Sequence, residues 1–89
     1  MKISDKNKQK ISEQILAYLY SVNPRAVFTI KIAQELVRDE EFVKHLLIAL
    51  KKKGLVIEIN KNPKGVAYLR RIRWKLSDNA YNVYKVSQS

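Results

Sequence analysis

Two groups of side chains in this sequence have types and spacing that could carry chemistry. The first is the acidic run Asp39-Glu40-Glu41, a carboxylate cluster of the kind that can bind Mg²⁺ or carry out acid–base chemistry. The chain of 89 residues has one histidine and no cysteine, so His45 lacks the companions that a structural zinc site or a nucleophile–histidine pair requires. Two glycines are too few for a glycine-rich phosphate loop. We therefore expect no enzyme, no metal, no cofactor and no small-molecule ligand.

Helix capping explains the acidic run better than metal binding does. Asp39 is a favourable N-cap residue, and Glu40 and Glu41 then fall in the first turn, where carboxylates interact well with the helix dipole. Three lysines and Gly54 form the matching C-terminal end. These signals predict a helix over residues 40–53.

The second group is basic and lies in the second half of the chain. The whole sequence has 18 Lys and Arg against 8 Asp and Glu, a net charge of +10. Residues 44–89 contain eleven of these basic residues and only Glu58 and Asp78 as acids, a net charge of +9. Such asymmetry indicates a surface that binds a polyanion.

Hydrophobic periodicity places these groups on elements of one small domain, residues 1–89. An interval of three and four residues predicts a first helix at about 5–22 and a second at about 30–38, the latter capped by Thr29 with Ile32, Ala33, Leu36 and Val37 facing inward. Only two or three residues separate the second helix from the third, which is helix-turn-helix spacing. A period of two predicts a β-hairpin over 55–76, with Leu55, Ile57 and Ile59 sharing one parity. Ser77 then caps a last helix of about 78–86.

At the level of residues, this order resembles a winged helix-turn-helix domain over about residues 10–86. The resemblance rests on Thr29, Ile32-Ala33 and Leu36, on Val43, Leu47 and Leu50, on Gly54-Leu55-Val56 and on Trp74-Lys75-Leu76-Ser77-Asp78, the last being similar to the wing-to-helix transition of MarR- and ArsR-type regulators. It implies an α+β fold with a three-helix core, a β-hairpin wing and a C-terminal helix. It also implies that the third helix enters the major groove of duplex DNA while the wing contacts the backbone or minor groove.

Carried over by position, the resemblance implies DNA contacts from the second and third helices and from the wing. The predicted exposed side of the third helix consists of Glu41, Lys44, His45, Ile48, Lys51 and Lys52. It lacks the Arg, Asn and Gln side chains that most often read bases, although Ile48 can touch a thymine methyl group and His45 a base edge or phosphate. The predicted DNA-binding residues are Lys31, Lys44, His45, Ile48, Lys51, Lys52, Lys61, Lys64, Arg70, Arg71 and Arg73.

Two apolar pairs are expected to remain outside the core and to form a homodimer interface: Leu16 with Tyr20 on the first helix, and Tyr81 with Tyr84 on the last. The leading interpretation is a dimeric, DNA-binding transcriptional regulator. The alternative is a winged-helix protein-interaction subunit of a transcription, replication or ribonucleoprotein assembly, which the acidic start of the third helix favours. No apolar run reaches membrane-spanning length and no signal-peptide core follows Met1, so a cytoplasmic, nucleoid-associated location without membrane contact is expected.

Overall fold

The computed structural model describes residues 5–59 and 72–88, in four helices and a three-stranded antiparallel sheet. In these ranges no helix is both long and apolar enough to cross a membrane. The elements are α1 (Asp5–Val22), β1 (Val27–Phe28), α2 (Thr29–Leu36), α3 (Glu40–Lys52), β2 (Val56–Ile59), β3 (Arg73–Leu76) and α4 (Asp78–Gln88). The α+β class and the order implied by the resemblance are confirmed.

One hydrophobic core joins the first three helices to the inner face of the sheet. The buried residues of the helices are Ile11, Ile15, Leu19, Ile32, Ala33, Val43, Leu46, Leu47 and Leu50, and those from the sheet region are Val27, Val56, Ile72, Trp74 and Leu76. Their spacing in α1 and α3 is the three- and four-residue interval seen in the sequence, because one side of each helix faces this core.

The strands lie in the order β1-β3-β2, so β3 is central. Val27 pairs with Trp74, and Val56 pairs with Leu76, and all four side chains are buried. The alternation predicted for β2 does not say which set of residues faces inward; in the structure Val56 faces the core, whereas Ile57 is 42% exposed. Directly opposite residues of paired strands share a face, so the partner Leu76 decides which residue of β2 is buried.

The structure corrects both ends of α2. Thr29 is the first helical residue rather than the cap, and its Oγ1 accepts a hydrogen bond from Trp74 Nε1 at 2.7 Å. Phe28 occupies the N-cap position without a side-chain cap bond. The helix ends at Leu36, and Val37, predicted to face inward, adopts a left-handed conformation (φ 53°) with 87% of its surface exposed.

The capping residues predicted for α3 are confirmed, and the helix ends at Lys52, one residue before the predicted end. The carboxylate of Asp39 accepts a hydrogen bond from the Phe42 amide at 3.1 Å. At the other end Lys53 is the C-cap and Gly54 has a φ of +76°, the left-handed conformation that favours glycine. Three residues, 37–39, separate α2 from α3, as the helix-turn-helix spacing predicts.

The packing of α4 changes the interpretation of the two apolar pairs. Ser77 caps the helix as predicted, since its Oγ accepts from the Ala80 amide at 3.1 Å. The Tyr20 ring stacks on Tyr81 with centroids 5.4 Å apart and lies 4.7 Å from Tyr84. The expectation that these rings are left over by the fold is wrong, because α1 and α4 cover them mutually within one chain.

Candidate nucleic-acid interface

The side of α3 that faces away from the core is a continuous surface, here called the α3 face. Its residues recur every three or four positions and consist of Glu41, Lys44, His45, Ile48, Lys51 and Lys52. All are exposed except Lys44, which is half-buried. The opposite side of the helix is held in the core by Val43, Leu46, Leu47 and Leu50. The sequence prediction therefore placed these six residues together correctly, while their contact with DNA stays a prediction.

Charge is graded along α3. Glu40 and Glu41 lie in the first turn, and Lys51 and Lys52 lie in the last. This distribution complements the helix dipole and so stabilises the helix itself. It also leaves the cationic end beside β2, so that the positive part of the α3 face is continuous with the hairpin.

One ion pair connects α3 to the hairpin. Lys51 Nζ lies 3.5 Å from Glu58 Oε1 in β2, with about half of the lysine side chain still exposed. Exposed pairs of this kind contribute little to stability, typically about 0–1 kcal/mol. Lys51 is therefore shared between an internal carboxylate and any ligand that approaches the α3 face.

Lys31 on α2 has a similar arrangement. Its Nζ lies 3.0 Å from Glu35 Oε1, one helical turn further along, and both side chains are about half exposed. The hydrogen bond to Glu35, with the attraction of its charge, raises the pKa of Lys31 above the usual value for lysine. Lys31 is thus a full cation at neutral pH, and a nearby carboxylate offsets part of its field.

The predicted wing cations are only partly within the described residues. Lys61, Lys64, Arg70 and Arg71 lie outside them. Arg73 lies at the start of β3, and its guanidinium carbon is 5.0 Å from the centroid of the Phe28 ring. Sequence reasoning missed Phe28 as its partner. Local spacing carries no signal for this contact, because it follows from the strand register that places Phe28 opposite Arg73.

Within the described ranges, no group of three or more His, Cys, Asp or Glu residues could hold a metal ion. Asp39 is engaged as the N-cap of α3, which agrees with the capping interpretation of the acidic run.

Comparison with solved structures identifies the fold. No protein-family model matches the chain, and no curated protein matches it. The structure is similar to a mutant of MepR from a multidrug-resistant S. aureus clinical isolate (TM-score 0.72, 22% identity, 90% of this chain and 55% of that chain). It is also similar to a mutant of Lactococcus lactis ZitR in apo form (TM-score 0.68, 23% identity, 93% of this chain and 58% of that chain).

A third similar structure is the Zalpha domain from Carassius auratus PKZ in complex with Z-DNA (TM-score 0.63, 20% identity, 79% of this chain and 97% of that chain). The chain spans just over half the length of the MepR and ZitR chains and nearly all of the Zalpha domain. At sequence identities below 25%, these similarities establish the fold alone. The chain therefore has the winged helix-turn-helix fold, with α2 and α3 as the helix-turn-helix and β2 and β3 as the strands of the wing.

Proposed function

We propose that this protein binds duplex DNA through the α3 face and the wing, and that it acts as a transcriptional regulator. The observation that carries the proposal is α3 itself. It is the second helix of a helix-turn-helix, both of its ends are capped, and its outer side combines lysines with His45 and Ile48. Such a helix is rigid and uncovered on the side that a DNA groove would enclose.

Charge and fold give independent support. Residues 44–89, which contain the hairpin and all of α3 after its first turn, carry +9 of the net charge of +10. Among proteins of the same fold, MepR is described as a transcription regulator of the S. aureus multidrug efflux pump MepA, and the Carassius auratus Zalpha domain is in complex with Z-DNA. A role on DNA also implies the cytoplasm and the nucleoid as the place of action.

The proposed roles of the residues follow from their chemistry. Lysine ammonium groups contact phosphates, which position the protein without reading sequence. We assign this role to Lys44, Lys51 and Lys52, to Lys31 on α2, and to Lys61, Lys64, Arg70 and Arg71 of the wing. His45 and Ile48 are the α3 side chains that can touch base edges. Arg73, which lies against Phe28, belongs to a different surface described below.

We also infer a homodimer formed through α4, on a surface that keeps Leu16 and Tyr84 of the interface predicted from sequence and adds Val83 and Val86. A groove of about 410 Å³ lies between α4, α1 and the turn after α3, and its lining includes Leu16, Leu55, Ala80 and Tyr84. Val83, which also lines the groove, and Val86, further along α4, are 67% and 73% exposed. An exposed apolar patch of this kind can be buried against the same patch of a second copy related by a two-fold axis.

Salt-dependent binding of a labelled duplex tests the DNA proposal. If about five phosphates are neutralised, log K falls with log salt at a slope of about −4 to −5. Lys52→Gln removes one contact and reduces the slope by about 0.9. Lys85→Gln, which removes the same charge from α4, leaves the slope at the wild-type value. Affinity that is independent of salt, or equal effects of the two substitutions, would exclude the α3 face as the DNA surface.

The acidic first turn of α3 favours the second candidate function, that of a protein-interaction subunit in a nucleic-acid-processing assembly. Glu40 and Glu41 repel phosphates at the end of the helix that would enter a groove. In that case duplex affinity is weak, and it responds to salt without responding to His45→Ala or Ile48→Ala. A change in sequence preference caused by either substitution identifies a groove reader instead.

A further inference from the structure

The outer face of the sheet carries a second cationic surface, which we call the sheet face. It consists of Phe28 in β1, Ile57 and Ile59 in β2, and Arg73 and Lys75 in β3. The strand register places Phe28, Arg73 and Ile59 in one row across the sheet, and Lys75 beside Ile57 in another. These residues share a side because their neighbours Val27, Val56, Trp74 and Leu76 all face the core.

The charge on this face is entirely positive within the described parts of the three strands. Arg73 and Lys75 belong to the central strand; Phe28 and Ile59 flank Arg73 from the two edge strands, and Ile57 of β2 flanks Lys75. The acid of β2, Glu58, has the opposite parity and pairs with Lys51 of α3. The sheet face therefore attracts anions, and it also offers apolar surface that an anion alone would leave in water.

The aromatic part of the face is already held in place. Phe28 is 36% exposed, and the Arg73 guanidinium lies 5.0 Å from its ring centroid. Both residues belong to paired strands, and the register places Phe28 directly opposite Arg73. A planar guanidinium beside an aromatic ring is a surface on which a further flat group can stack.

We propose that the sheet face binds single-stranded nucleic acid, with bases stacked on Phe28 and Arg73 and phosphates bound by Arg73 and Lys75. A duplex would use only the cations, since its base faces are stacked within the helix. A single strand supplies phosphates and exposed base faces together, and both kinds of group on this face are then covered. This site is separate from the α3 face, because α3 and the sheet bury their inner sides in the same core and turn their outer sides away from it.

The test measures binding of labelled oligothymidylate and oligouridylate, each about 15 nucleotides long, beside the labelled duplex. Phe28→Leu keeps the apolar volume and removes the ring, so we expect single-strand affinity to fall about fivefold or more, the loss of one stacked base. Phe28→Trp restores it. Lys75→Gln reduces the salt slope for single strands by about 0.7, and Lys85→Gln does not. Comparison of the two oligonucleotides distinguishes DNA from RNA as the ligand.

The duplex measurements keep this proposal distinct from the proposed function. Phe28→Leu and Lys75→Gln leave duplex affinity unchanged if the two sites are separate, and Lys52→Gln lowers duplex affinity without changing that for single strands. Single-strand binding by Phe28→Leu at wild-type strength would overturn the proposal. Competition by poly-glutamate would also overturn it, if poly-glutamate of equal charge displaced the oligonucleotide and its binding were weakened equally by Phe28→Leu. The face would then be a site for acidic protein segments.

Discussion

Thr29 shows how one side chain can fit a local signal and serve a distant contact. A threonine in front of an apolar helical pattern predicts an N-cap. In the structure its hydroxyl instead accepts from the indole of Trp74, 45 residues away in sequence, because the buried indole N–H needs an acceptor. A partner that distant leaves no trace in local spacing. The prediction therefore failed for a physical reason, although the helix itself was found.

The Thr29–Trp74 bond gives the first prediction. Thr29→Val keeps the shape of the side chain and removes the acceptor, leaving a partly buried donor unsatisfied. We expect the free energy of unfolding to fall by about 1–3 kcal/mol, measured by urea denaturation. Thr29→Ser retains the hydroxyl, and its free energy of unfolding should fall by clearly less than that of Thr29→Val. Equal losses for the two variants would mean that the methyl group, rather than the hydrogen bond, is what matters.

At the scale of elements, the sequence predicts best where local signals decide the outcome. The ends of α3 follow from Asp39 and Gly54, both of which act through bonds or torsions within a few residues. Which residues of β2 face the core depends on the register of its pairing with β3. The alternation of residues within β2 carries no information about that register. The six residues of the α3 face could also be placed together from sequence, because the local signals that define α3 also define which of its sides is exposed. The sheet face could not, because it needs the register of three strands.

The turn between α2 and α3 contains a strained residue. Val37 has a φ of 53°, a conformation that costs an L residue about 1–2 kcal/mol, and its side chain is almost fully exposed. Val37→Gly removes the strain and loses little packing, although the unfolded chain gains entropy. We expect a net stabilisation of about 0.5–1 kcal/mol by thermal or urea unfolding. Val37→Ala keeps a Cβ in the same conformation, and a comparable gain for alanine would argue against the strain.

At the scale of the whole molecule, net charge restricts how copies can meet. Two chains of +10 repel one another, so a self-associating surface must be locally neutral. The described charged side chains of α4 are Lys85 and the first-turn residue Asp78, which balance. The surface around Val83 and Val86 thus combines apolar exposure with a small net charge, that of Lys53 in the groove lining.

Sedimentation tests this arrangement. At tens of micromolar we expect the wild-type protein to be a dimer, and Val83→Glu with Val86→Glu to be a folded monomer, because two carboxylates would be buried in the interface. The monomer should bind duplex DNA more weakly, since it presents one α3 face instead of two. Ile30→Glu, an exposed position at the start of α2, is the matched control and should remain dimeric. A monomeric wild-type protein would rule out the α4 interface.

The pairs Lys31–Glu35 and Lys51–Glu58 have a further consequence for selectivity among anions. Each glutamate belongs to the same chain as its lysine and stays next to it. A free anion that binds the lysine must therefore displace a carboxylate whose effective concentration is constant. An isolated phosphate or a small metabolite forms one contact and breaks another in that exchange, so its net binding free energy is close to zero. A polymer that has already bound elsewhere on the protein brings its next phosphate to the lysine at a comparable local concentration. The two glutamates therefore weaken the binding of small anions to these lysines and still allow a polyanion to bind.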